Sequence, residues 1–277
     1  VGRASQRSID ELAGEGVTLM LTVDLGTTDI AQIAHAKAKG IDTIVTDHHV
    51  VPEVLPDALV LNPKRAGAYP FDGLCGSGVA WKLVQALLTK NRPEGFNEGQ
   101  EKWYLDLVGM ATLADMVPLQ GENRMLAHFG LTVLRRARRP GFAALLKLLR
   151  IRPQTVTEDD IGFMLAPRIN AASRMDAPEA AARLLATGDA EEARELASAL
   201  NKINDERKGL VAATVKEVNK RMTDMPQDTP VIVMGNPKWR PGLLGLAANS
   251  LAEEFNRPVF LWGREGGETL KGSCRSD

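Results

Sequence analysis

Val17-Thr-Leu-Met-Leu-Thr-Val23 runs into Asp24-Leu-Gly26, and Asp42-Thr-Ile-Val-Thr46 runs into Asp47-His-His49. Both are short β-rich apolar runs that end on a carboxylate, the pattern of strands buried in a sheet. Between them Ile30, Ile33, Ala34 and Ala38 recur at helical spacing over residues 30–39, and Leu59-Val-Leu61 forms a third apolar run stopped by Asn62-Pro63. Strands alternating with helices predict an α/β fold with a parallel sheet flanked by helices and right-handed crossovers. In such sheets the carboxyl ends of the strands face the ligand crevice. If the first two strands are neighbours, Asp24 and His48 project into one crevice.

Farther along, helices are predicted from Gly76 to about Ala186, interrupted by the loop 91–100 and by Pro118, Pro140 and Pro153. Asp189 with Glu192 three residues on is a capping-box pattern. It opens an amphipathic stretch to Met222 with Leu196, Leu200, Ile203, Leu210, Val211, Val215 and Val218 along one side. A helix of that length spans roughly 50 Å, natural for a connector. Residues 223–230 read as a turn, and a second, smaller α/β unit follows: a strand at 231–234, a glycine turn at 242–245, a helix at 246–255 and a strand at 258–261. The tail from Lys271 reads as a Gly/Ser turn. The expected partition is a first domain over 1–186, a connecting helix over 187–225 and a second domain over 226–277.

Over 277 residues, 44% apolar and 25% charged, the composition excludes disordered and fibrous classes. The apolar runs are far shorter than the roughly 18 residues a membrane helix needs. Two cysteines cannot build a disulfide framework or a thiolate zinc site, which points to the cytoplasm. The net charge of −1 conceals an uneven distribution. Between Asn123 and Thr157 no residue is acidic, while Arg124, Arg135, Arg136, Arg138, Arg139, Lys147, Arg150 and Arg152 are basic. Such a segment suits a phosphate-tracking surface or a solvated helix face.

Asp115 lies in the almost uncharged stretch 107–118, where a lone carboxylate must be paired, metal-bound or protonated. Carboxylates and imidazole suit Mn²⁺ or Mg²⁺. Taken singly, Asp24 could be a helix N-cap, Asp115 a buried hydrogen-bonded acid and the histidine pair a surface turn; together they favour a shared site. Leu74-Cys-Gly-Ser-Gly78 reads as tight helix packing in preference to a phosphate cradle.

Six runs, Leu21-Thr-Val-Asp-Leu-Gly26, Val45-Thr-Asp-His-His49, Leu61-Asn-Pro-Lys-Arg65, Leu74-Cys-Gly-Ser-Gly-Val-Ala80, Ala114-Asp-Met-Val-Pro-Leu119 with Gly121-Glu-Asn-Arg124, and Ala166-Pro-Arg-Ile-Asn-Ala-Ala-Ser-Arg174, occur in this order. They closely resemble the bacterial single-strand-specific DNA exonucleases of the DHH phosphoesterase superfamily, over nearly the whole chain. The resemblance implies a DHH catalytic domain, a connecting helix and a DHHA1 domain, with two Mn²⁺ or Mg²⁺ ions and hydrolysis of single-stranded DNA from the 5′ end to 5′-mononucleotides, in DNA repair and recombination. It implies that Asp24 bridges the two ions, that His48 and Asp115 are the other ligands of one of them, that His49 contacts the scissile phosphate, and that Asp47 orients the histidine pair. Arg168, Asn170 and Arg174 match the family's DNA path. Ser273 and Arg275 match its grip on the terminal 5′ phosphate, with Cys274 where glycine is usual and Arg240 where histidine is frequent.

The resemblance also implies a monomer that works with a single-strand DNA-binding protein and a helicase and uses no membrane. The family's first aspartate pair is expected upstream of residue 1, which would make the 277 residues a weakly active or inactive piece. The alternatives are a related phosphoesterase acting on nano-RNA, 3′-phosphoadenosine 5′-phosphate or cyclic dinucleotides, and a non-catalytic replication scaffold of the same fold.

Overall fold

The computed structural model describes residues 5–223, 229–265 and 268–276. The chain divides into two compact units, one built from residues 1–138 and 151–163, the other from 139–150 and 164–277. Each has its own sheet and core.

In the first unit, α1 (Gln6–Gly14) precedes β1 (Leu19–Val23), α2 (Ile30–Ala38), β2 (Asp42–Thr46) and β3 (Leu59–Leu61). The three strands are parallel in the order β1-β2-β3, with Leu19 opposite Asp42 and Ile44 opposite Leu59. This is the predicted parallel sheet. Ile33, Val45 and Val60 pack on one another beneath it. The register places Val23 against Thr46, so the residues that follow, Asp24 and Asp47, leave the sheet at the same end. α3 (Gly76–Lys90), α4 (Leu105–Ala114) and α5 (Gly121–Leu134) complete the unit. α4 and α5 touch through Gly109 and Gly130, where a Cβ on either would run into the other's backbone.

The second unit contains α6 (Pro140–Leu148), α7 (Ala166–Arg174), α8 (Pro178–Ala186), α9 (Ala190–Met222), β4 (Ile232–Gly235), α10 (Pro241–Phe255), β5 (Val259–Gly263) and β6 (Lys271–Arg275). α9 is its spine. Ala193, Ala197, Leu200 and Asn204 are buried on its N-terminal half, and Val218 lies in the core formed with Ile232, Leu244, Leu251 and Val259. Asp189 caps α9 by accepting from the backbone N–H groups of Glu191 and Glu192. The capping box is only half made, because the Glu192 carboxylate turns to Thr187 and Arg183.

Two readings of the second unit are corrected. α10 starts at Pro241, so Gly242 and Gly245 are helical and form no turn. Proline at the first helical position favours that start. Lys271–Arg275 is a strand, not a turn, because it pairs antiparallel with β5, Cys274 opposite Phe260. Five of the residues read as a turn, 224–228, lie outside the described residues.

Candidate active site

Asp24 continues the ladder of β1, its N–H donating to Thr46 O at 2.8 Å, and then turns into the left-handed region at φ +66°. Aspartate is among the few non-glycine residues that enter this region readily. The turn is closed by Thr22 Oγ1 donating to Leu25 O at 2.8 Å, and Gly26 at φ +114° lets the chain pass the Thr22 hydroxyl and Val45 methyls. Asp24 is not a helix cap; that position before α2 belongs to Asp29. Gly76, the first residue of α3, lies directly against Asp24, where a Cβ would overlap the carboxylate. The tight packing read into Leu74–Gly78 is therefore packing against a site residue.

His48 points its Nε2 at Asp24 Oδ1, 3.1 Å away, and at Asp115 Oδ2, 3.5 Å away, with its side chain 12% exposed. The hydrogen bond to Asp24 raises the imidazole pKa against the opposing effect of burial, and the charges of Asp24 and Asp115 add to the rise. Asp115 is the C-cap of α4, with its side chain half exposed, and Met116 after it takes φ +54°. A carboxylate at a helix C-terminus opposes the helix dipole. Two left-handed residues and a wrongly placed charge thus converge on one spot, the kind of local cost that accompanies functional sites.

Asp47 is 2% exposed and saturated with donors: the N–H of Thr27 at 3.0 Å, of His48 at 2.8 Å and of His49 at 3.3 Å, and His49 Nδ1 at 2.7 Å. Burial alone would raise this carboxyl; the bonds from Thr27, His49 and His48 outweigh it and hold the pKa at about 2. An ionised Asp47 accepts only, so His49 carries its proton on Nδ1 and directs Nε2 away from Asp47. The buried Asn62 steadies the same turn, its Nδ2 donating to Thr27 Oγ1 and His49 O, both at 3.0 Å. From the sequence Asn62 reads only as the stop of the third strand; its bonds to Thr27 and His49 give it a part in the site.

Oxygens and nitrogens of Asp24, His48 and His49 lie within 4.8 Å of one another, and Asp115 is beside them. Hard carboxylate oxygens and imidazole nitrogens on a partly open face fit Mn²⁺ or Mg²⁺.

The second unit holds the remaining sequence-derived residues. Arg168 is buried, with Nε on Asn201 Oδ1 at 2.9 Å and a terminal nitrogen on Met164 O at 2.6 Å, so it ties α7 to α9. Asn170 and Arg174 are exposed on α7, and Arg174 donates to Gly242 O at 3.2 Å. Ser273 and Arg275 on β6 converge over Gly245, where a Cβ would come within 3.0 Å of the Arg275 guanidinium and 3.6 Å of Ser273 Oγ. Arg174, Arg207, Lys208 and Arg275 line one cavity of about 630 Å³ that has no carboxylate in its wall among the described residues. Arg207, which the residue reading missed, is held through Nε and a terminal nitrogen on Asn204 Oδ1 at 3.2 and 3.0 Å. Burial, then the charges of Arg174 and Arg168, lower its pKa.

Cys274 sits in a β-strand and is absent from the left-handed residues, so the backbone there does not require glycine. Arg240 pairs with Glu265 and Asp176. In the basic segment, Arg135 and Arg139 are tied to the carbonyls of Val156 and Leu185, and Arg138 stacks 4.1 Å over Trp103; Arg124, Arg136, Lys147, Arg150 and Arg152 are exposed.

Residues 3–112 match the DHH family, N-terminal domain. The chain is 38% identical over 285 residues to the single-stranded-DNA-specific exonuclease RecJ of Salmonella typhimurium, covering 98% of this chain and 49% of that protein. The chain carries a DHH-family N-terminal domain. RecJ of Bacillus subtilis is 38% identical over 273 residues, 98% of this chain and 33% of that protein. The crystal structure of RecJ in complex with Mn²⁺ from Thermus thermophilus superimposes with a TM-score of 0.85 at 33% identity, covering 99% of this chain and 39% of that one. The chain thus spans between a third and a half of the length of these curated relatives.

Proposed function

We propose that the protein hydrolyses single-stranded DNA from its 5′ end, releasing 5′-mononucleotides, as a metal-dependent phosphodiesterase. The observation that carries this reading is His48 Nε2 set between the carboxylates of Asp24 and Asp115, at 3.1 and 3.5 Å. Similarity to RecJ proteins, solved with Mn²⁺ in one structure and Mg²⁺ in another, supports a single-stranded DNA substrate and divalent cations; on this reading two such ions would be held through Asp24, with His48 and Asp115 as further ligands. Such ions would lower the pKa of a bound water and neutralise charge on the phosphate.

The rest is work for this chain's side chains. Asp47 fixes the tautomer of His49, leaving Nε2 to meet the scissile phosphate: protonated, it donates to a phosphate or leaving oxygen and stabilises the charge that develops there. Arg174, Ser273 and Arg275, with Arg207, form a cationic wall suited to a terminal 5′ phosphate, for which planar guanidinium groups are apt donors. Arg168 and Asn170 belong to the DNA path, Arg168 by holding α7 in place. Residues 1–186, 187–225 and 226–277 are read as the DHH domain, connecting helix and DHHA1 domain. A single-strand DNA-binding protein and a helicase are the partners this reading names, for a monomer of the cytoplasm. None of the described helices is long and apolar enough to cross a membrane.

The test incubates the whole protein with Mn²⁺ and labelled single-stranded, duplex and dinucleotide substrates. Mononucleotides released only from the single strand, and lost in His49→Ala, are expected. Preferential cleavage of the dinucleotide would instead favour a small-substrate phosphoesterase, and no Mn²⁺-dependent cleavage would favour a scaffold.

A further inference from the structure

Gly121-Glu-Asn-Arg124 opens α5 and takes no part in the site as described so far. Asn123 in this run is fully buried. Its Nδ2 donates to two carbonyls from separate loops, Gly73 O at 2.7 Å and Pro118 O at 3.0 Å. Pro118 is three residues after Asp115, and Gly73 is three residues before Gly76, the residue that packs on the Asp24 carboxylate. One amide group therefore joins the loop carrying one acid to the helix start that abuts the other.

The amide orientation is fixed by chemistry. Two carbonyl acceptors require the NH₂ side. Asn123 Oδ1 is left without a partner in a buried position, so nothing else satisfies the group if these two bonds are lost. The surroundings leave little slack: the Phe71 ring lies where Cβ atoms on Gly73 and Gly121 would approach within 2.9 and 3.0 Å. Beside it, Glu122 accepts from Tyr69 Oη at 2.9 Å and Lys82 Nζ at 2.8 Å, fastening the 62–75 loop and α3 to the same helical turn.

We propose that Asn123 is a positioning residue that sets the separation of Asp115 from Asp24, and through it the affinity of the site for a divalent cation. The inference rests on the metal-site reading above. Asn123→Asp keeps the shape but replaces the donor with an acceptor facing two carbonyls; Asn123→Ala removes the donor without adding charge and serves where the aspartate does not fold. Leu134→Ala, in a buried position of the same helix and remote in sequence from both loops, is the control for lost stability alone.

Mn²⁺ binding to the whole protein is followed by the electron paramagnetic resonance of the free ion, with thermal unfolding measured alongside. The expected result is that Asn123→Asp or Asn123→Ala weakens Mn²⁺ binding by about 10- to 100-fold, the range for groups that orient metal ligands. Leu134→Ala should lower the unfolding temperature and leave Mn²⁺ affinity unchanged. Wild-type affinity in a folded Asn123 variant, or an equal loss in Leu134→Ala, would overturn the inference while leaving the metal site standing. A wild-type protein that binds no Mn²⁺ would overturn the metal site and the inference with it.

Discussion

Asp24 holds a left-handed backbone at the end of β1 and packs its carboxylate on Gly76. Asparagine tolerates the same backbone region. Asp24→Asn should therefore keep the fold while weakening Mn²⁺ binding by more than about 100-fold, beyond the range for groups that only orient ligands; calorimetric titration checks it, and circular dichroism confirms the fold. Gly76→Ala approaches the same group from below, since the added methyl must displace the carboxylate. A folded Gly76→Ala protein with lowered Mn²⁺ affinity is expected, measured in the same way. Asp24, His48, His49 and Asp115 are legible in the sequence because each stands at the end of an apolar run, where an unpaired polar group needs a reason. Gly76, Asn62 and Asn123 are not legible that way: their importance lies in which distant groups they touch.

At the scale of elements, β1, β2 and β3 are readable because each is a short run of apolar and β-branched residues closed by a polar one, although only β2 is mostly buried, and Leu19, Leu21, Val23 and Leu59 are exposed against the expectation of buried strands. β6 is not, since Lys-Gly-Ser-Cys-Arg has little strand preference and is extended because β5 offers it an edge. The start of α10 hides behind glycines that serve close approach instead of a turn. Its partner α9 is fastened to the turn between β4 and α10 by Glu217, which accepts from Trp239 Nε1 at 2.9 Å and Asn236 Nδ2 at 3.0 Å and pairs with Arg221. Burial would raise this carboxyl; the bonds from Trp239, Asn236 and Arg221 prevail and hold it below the usual range. A depressed folded pKa means stability that is present above the unfolded value and lost as pH falls through the folded one. Glu217→Gln should accordingly be less stable than wild type at neutral pH, and the gap should close as the pH drops below the carboxylate range, as denaturant titrations at several pH values would record.

For the molecule as a whole, a net charge of −1 says little about partners, because the charges are sorted. The first unit gathers carboxylates and imidazoles at one end of its sheet, and the second lines a cavity with Arg174, Arg207, Lys208 and Arg275 and, among the described residues, no acid. If that cavity takes DNA phosphate, Arg207→Ala should weaken single-strand binding and flatten the plot of log affinity against log salt by about 0.7 to 1, measured by fluorescence anisotropy. The claim on which the rest depends is the cation held by Asp24, His48 and Asp115. An anomalous difference map from Mn²⁺-soaked crystals, collected at the manganese edge, addresses it directly. A peak bonded to His48 Nε2 and to carboxylate oxygens of Asp24 and Asp115 is expected; a manganese-loaded crystal with no peak there, and the His48 to Asp24 hydrogen bond still intact, would contradict a cation site at these residues.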